Sequence, residues 1–157
     1  MGGVSIKFLK LMIVAIIIAG LIWFNLYRLT LPIAVENTKG FTIAENAVLP
    51  VTQVGRAKGL LNHNQLDPGQ GMVLYPCQGI HMVGMKFPID VVFLDHGYQV
   101  VYMIESIQPG QVSPLIEDAV MAVELPAGTI ERTGTGQGDV FAFSGPGERV
   151  VERGLKQ

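Results

Sequence analysis

"FPIDVVFLDHGYQVVYMIE", residues 87–105, decides the fold. Two apolar runs, 87–95 and 98–105, flank a His96-Gly97 pair, and such a pair between apolar runs marks the tip of a β-hairpin. Both arms are apolar on both faces. In the first arm Ile89, Val91 and Phe93 fall on one side and Val92 and Leu94 on the other, because side chains alternate along a strand. A strand of that kind is either covered on both faces or built into the wall of a small barrel.

The β signal continues outward from this hairpin. Upstream, "MVLYP" (72–76) reads as a strand and "GIHMVGM" (79–85) as a second one. Downstream, "QPGQVSP" is a loop, "AVMAVELPAG" (119–128) is a strand ended by Pro126, and "GDVFAF" (138–143) is the last strand. Nearer the N-terminus, "FTIAENAVLPV" (41–51) alternates like a strand until Pro50. Thr52 is placed to cap a short helix over 53–62, which Gly55 and Gly59 weaken, and "HNQLDPGQG" (63–71) is turn chemistry. The expected fold class is α+β, mostly β: a compact, small β-barrel-like domain over residues 41–143. Residues 29–40, "LTLPIAVENTKG", read as a tether punctuated by Pro32 and Gly40, and 144–157 as a C-terminal tail opened by Gly145-Pro146-Gly147.

Residues 1–28 are of another kind. Lys7 and Lys10 precede "LMIVAIIIAGLIWFNLY" (11–27), Arg28 closes it, and no charge lies between Lys10 and Arg28. As a helix rising about 1.5 Å per residue, this run spans roughly 26 Å, near the lower limit for a bilayer. Trp23 and Tyr27 stand where interfacial aromatics belong. A cleaved signal peptide competes with an uncleaved anchor. The run exceeds a usual signal core and no small-x-small cleavage site follows it, which favours a single N-terminal transmembrane helix. Basic residues on its short side keep the N-terminus in the cytoplasm. The bulk of the chain is then expected on the periplasmic side of a bacterial inner membrane.

From residue 29 onward there are eight Lys or Arg against thirteen Asp or Glu, so the domain lacks the basic face that nucleic acid needs. The single cysteine, Cys77, forms no internal disulfide.

The residues that carry chemistry cluster beside the hairpin. Cys77, His81, Met82 and Met85 offer thiolate, imidazole and thioether, a soft donor set suited to Cu(I). On an extended strand Cys77, His81 and Met85 share a face and Met82 points away. Against a metal stand the missing C-x-x-C and the missing second histidine, so no metal and no cofactor is expected; any metal would use Cys77, His81 and Met85. Asp90 and Glu124 are carboxylates inside apolar strands and need a partner, with Lys86, Arg132 and His81 the nearest choices. They either tie strand ends to backbone amides or form, with Cys77 and His81, the outline of a nucleophilic site. "GTGQGDV" (134–140) lacks the Gly-Lys-Ser/Thr ending of a phosphate loop, so its glycines supply positive φ and Asp139 caps the turn.

Taken together, "GLL" (59–61), "IHMVGMKFPIDVVFLD" (80–95), "VELPAGT" (123–129) and "GQGDVF" (136–141) resemble, in order and spacing, the domain of unknown function 192 family. His81, Met85, Lys86, Pro88, Asp90, Glu124, Gly128, Gly138 and Asp139 fall on its motif positions. Many members have a His-Thr pair where this chain has His81-Met82. The resemblance implies a compact β-rich domain, often behind a signal or membrane segment, and no activity. The chemistry of the residues themselves marks Cys77, His81, Met85, Lys86, Asp90 and Glu124 as the candidate pocket, and Gly128, Gly138 and Asp139 as structural turns. The expected function is a non-catalytic module, held to the membrane through residues 11–27, that binds an envelope component or a partner protein. The alternative is an enzyme or soft-metal-binding protein using Cys77, His81 and Asp90.

Overall fold

A computed structural model describes residues 6–29, 32–50 and 52–145. The proposed tail therefore lies outside the described residues, apart from Ser144 and Gly145. The chain divides into two units, residues 1–31 and 32–157.

The first unit is the helix α1, Ile6–Leu29, 24 residues long. Leu11, Ile13, Val14, Ile16, Ile17, Ile18 and Ile22 are all exposed on it. Its described side chains are Lys7 and residues 10–22, so those of Trp23, Tyr27 and Arg28 lie outside the description. Among the described residues no helix is long and apolar enough to cross a membrane.

The described part of the second unit is mostly β. Its elements are β1 (Ile33–Asn37), β2 (Thr42–Val48), α2 (Gln53–Lys58), β3 (Gln70–Leu74), β4 (Ile89–Leu94), β5 (Val100–Ile107), β6 (Met121–Pro126), α3 (Thr129–Thr133) and β7 (Phe141–Ser144). The strands form one sheet in the order β5-β4-β6-β3-β2-β1-β7. Neighbours are antiparallel except β2 and β3, which α2 connects as a parallel crossover. The sheet curls into a half-barrel, and its outer strands meet at one end through a bridge between Gln99 and Val140. There the Val100 N–H donates to Asp139 O at 2.8 Å, and the Tyr98 and Phe143 rings meet edge to face at 5.3 Å.

β4 is buried along its whole length and feeds two cores. Val92 and Leu94 join Val35, Ile43, Val100, Val123 and Phe141; this core draws on both outer strands and so fills the inside of the curl. Ile89, Val91 and Phe93 join Met72, Ile80, Met82 and Ala119 on the outer face, which the segments around 77–88 and 108–119 cover. The two-faced β4 is thus a wall with packing on both sides. β5 departs from the expectation: as an outer strand it leaves Tyr102 and Glu105 exposed.

Three further expectations are corrected. Residues 33–37 are not tether but β1, paired with β2 on one side and β7 on the other. Pro32 precedes the strand, and Gly40, at φ +84°, belongs to the β1–β2 turn, where Asn37 Oδ1 accepts the N–H groups of Lys39 and Phe41. The helix after Thr52 stops at Gly59, whose N–H closes on Gly55 O, and does not continue to 62. The stretch 79–85 is not a strand. Its extended part contributes one bridge, His81 to Val112, and the chain then turns at Val83-Gly84, with the Met85 N–H donating to Met82 O. Gly84 sits at φ +84°, which L side chains rarely adopt.

Candidate functional site

The hydrogen bonds of segment 77–82 explain its shape. The Cys77 N–H donates to Val120 O, the Met82 N–H to Gln111 O, and the Ser113 and Ile116 N–H groups donate back to Ile80 O and Gln78 O. This pins the segment to 111–120 across the outer face of the sheet, with α2 nearby. Between α2, the 79–85 segment and β6 lies a cleft of about 150 Å³. Leu60, Leu74, Ile80, Met82 and Met85 form its apolar walls, and Arg56, Lys58, His81 and Glu124 supply its polar lining.

Met82 is 1 % exposed and alternates with the exposed His81, as on an extended strand, though both line the cleft; the turn at 83–84 comes after them and breaks the period before Met85. His81 is exposed, and Met85 is half-buried. Cys77 packs against the outer core but does not line the cleft, and its thiol donates to Gly79 O at 3.3 Å. Burial pushes that thiol up, a hydrogen bond with the Gly79 backbone pulls it down, and the Glu124 charge pushes it up further. Cys77, His81 and Met85 therefore do not line one cleft together. Among the described residues no three of His, Cys, Asp and Glu gather closely enough to hold a metal ion.

Asp90 and Glu124 part company. Asp90 is fully buried, and its two oxygens accept from backbone: Oδ1 from the Ser106 N–H at 2.9 Å and Oδ2 from the Ile130 N–H at 2.8 Å. Both donors need it. The β4–β5 register slips between Ile89 and Val91, and Ser106 in that irregularity has φ +49°. Ile130 lies in the first turn of α3, whose N-cap is Gly128 at φ +84° and has no side chain to offer. Asp90 caps the helix from another strand.

Glu124 faces the cleft. It is 8 % exposed, and its carboxyl receives no hydrogen bond or ion pair from any described residue. Burial pushes it up to about 7. The expected partners are not partners: the Lys86 ammonium donates to Asn64 Oδ1 at 2.8 Å, and Arg132 is exposed on α3.

The turn residues lie elsewhere. Gly138 has φ +90°, and its N–H donates to Val100 O. Asp139 Oδ2 accepts from the Gly136 N–H at 2.8 Å and from Lys39 Nζ at 2.9 Å, in the one ion pair among the described residues. They tie the ends of the curl and take no part in the cleft. Sequence reasoning saw Leu60 only as part of the "GLL" motif and missed the basic pair Arg56 and Lys58. The only signal was the "GRAK" of a helix interrupted by glycine, and only the crossover brings it over β6.

The model of the domain of unknown function 192 family, described as an uncharacterized ACR, matches residues 35–143. No curated protein matches the chain. Two solved structures are similar. One is a protein of unknown function from Novosphingobium aromaticivorans, at 23 % identity and TM-score 0.62, over 71 % of this chain and 83 % of that one. The other is described as a putative transcription regulator from Sinorhizobium meliloti, at 24 % identity and TM-score 0.61, over 72 % of this chain and 92 % of that one. At these identities the likeness is one of fold.

Proposed function

The chain belongs to the domain of unknown function 192 family, and from that premise we propose that it is a membrane-tethered, extracytoplasmic module that binds a small envelope component in the cleft over Glu124, without covalent chemistry. The observation that carries this reading is Glu124 itself. A carboxyl in a residue only 8 % exposed, with no partner among the described residues, opens into the cleft, where water or a ligand must complete its hydrogen bonds. The tether rests on α1, whose 24 residues extend about 36 Å, with its described aliphatic side chains exposed. Lipid would cover them, and a helix satisfies its own backbone there.

Two measurements test this. The intact mass of membrane-extracted protein should retain residues 11–27; a mature chain starting after residue 27 overturns the anchor. Methyl NMR of Met82 and Met85, in the full chain in detergent, should shift on adding a panel of small polar fragments. Methyls that no fragment moves overturn the binding cleft.

One observation favours the enzymatic alternative: a carboxyl near 7 in a cleft that a histidine also lines suits general acid–base work. Neither Cys77 nor Asp90 supplies it with a ready nucleophile, however. The Cys77 thiol is held up by burial, and Asp90 is spent on backbone amides across the sheet.

A further inference from the structure

Three charged side chains line the cleft, and none has a partner among the described residues. Glu124 is at the buried end, and no cation offsets the effect of burial there. Arg56 and Lys58, on α2, line the same cleft and form no ion pair or hydrogen bond through their charged heads. They therefore stand too far from Glu124 to neutralise it. A simple cation would meet Glu124 but face the two basic residues. A simple anion would suit the basic residues but meet a carboxyl.

We infer that the cleft receives a short zwitterion, its ammonium against Glu124 and its anionic end toward Arg56 and Lys58. This deepens the binding function proposed above and rests on it. The size agrees: a cavity on the order of 150 Å³ holds a molecule of about six heavy atoms, far more than a bare metal ion fills. The walls agree as well. Leu60, Leu74 and Met82 leave apolar space for a short alkyl spacer between the charged ends. The thioethers of Met82 and Met85 adapt to its shape.

Binding is linked to protons. The titratable and charged groups around Glu124 are Cys77 and His81 from the 77–85 segment and Arg56 and Lys58 from α2; its strand neighbours Met72 and Val91 are apolar. An ammonium against Glu124 favours the ionised carboxylate, so at pH 6.5 the complex releases protons as it forms.

The test is isothermal calorimetry on the full chain in detergent, in amine-free buffers of different ionisation enthalpy, with 4-aminobutyrate, butylammonium and butyrate. The zwitterion is expected to bind at least tenfold more tightly than either half-ligand and to release protons at pH 6.5. Glu124→Gln should lose at least tenfold for the zwitterion, and Arg56→Ala with Lys58→Ala should reduce it to the level of butylammonium. Thermal melts of each variant confirm that it is folded. Butyrate binding as tightly as the zwitterion, or an indifferent Glu124→Gln, overturns the inference. If none of the three binds while other fragments shift the Met82 and Met85 methyls, the zwitterion is wrong and the binding cleft stands. If nothing shifts them, both fall.

Discussion

Asp90 and Glu124 stand on neighbouring strands, one register position apart, and point to opposite faces of the sheet. Glu124 is opposite Val91 and shares its outer face, while Asp90 is opposite Leu125 and looks inward. Two buried acids that look alike in sequence therefore have different jobs, one structural and one open to a ligand.

Removing Asp90 strands the buried Ile130 N–H and the part-buried Ser106 N–H. At about 1–3 kcal/mol for each unsatisfied donor, Asp90→Ala should cost roughly 3 kcal/mol. Asp90→Asn, which keeps one carbonyl acceptor, should cost less. Denaturant unfolding measures both, and a loss under about 0.5 kcal/mol for the alanine variant would contradict the capping role.

Glu124 gives stability an unusual pH dependence. Its folded value, about 7, lies above the ordinary 4.5, so the fold binds the proton more tightly than the unfolded chain does. Its contribution is fully present below about pH 4.5 and is lost as pH rises through about 7, on the order of 3 kcal/mol in all. Glu124→Gln should flatten that slope and be the more stable protein at pH 8. Melting curves from pH 5 to 8 decide it; a wild-type melting temperature that rises steadily with pH across this range would refute the assignment.

Cys77 should be a slow nucleophile. Burial holds the thiol up, so alkylation by iodoacetamide at pH 7.5 should run well behind an unhindered cysteine peptide, and Glu124→Gln should speed it by removing the neighbouring charge. Mass spectrometry follows the adduct. Labelling at the peptide rate would reopen the nucleophilic reading.

The Lys39–Asp139 pair ties the β1–β2 turn to the end of the curl. Burial pushes the Asp139 carboxyl up, but the Lys39 hydrogen bond, the Gly136 N–H and the Lys39 charge together hold it below the usual value. Its contribution is present above the ordinary carboxylate value and lost as pH falls through the lowered one. With Lys39 about half exposed, Lys39→Ala should cost less than about 1 kcal/mol and less still at high salt. NMR titration of Asp139 should show its carboxyl rising in that variant.

Local pattern determined the hairpin at His96-Gly97, the two-faced β4 wall and the Thr52 cap, because each is written in residues a few positions apart. The family was legible for the same reason: its motifs lie along the chain in order. Tertiary structure decided that 33–37 is a strand, because it is held between β2, its neighbour across the Gly40 turn, and β7, about a hundred residues away. It alone broke up the expected shared face of Cys77, His81 and Met85, since a turn at Val83-Gly84 interrupts the period of two from which that face was argued. And it alone separated Asp90 from Glu124. Each is an acid in an apolar strand, and which one finds backbone amides depends on where a register slip and a helix start happen to fall in space.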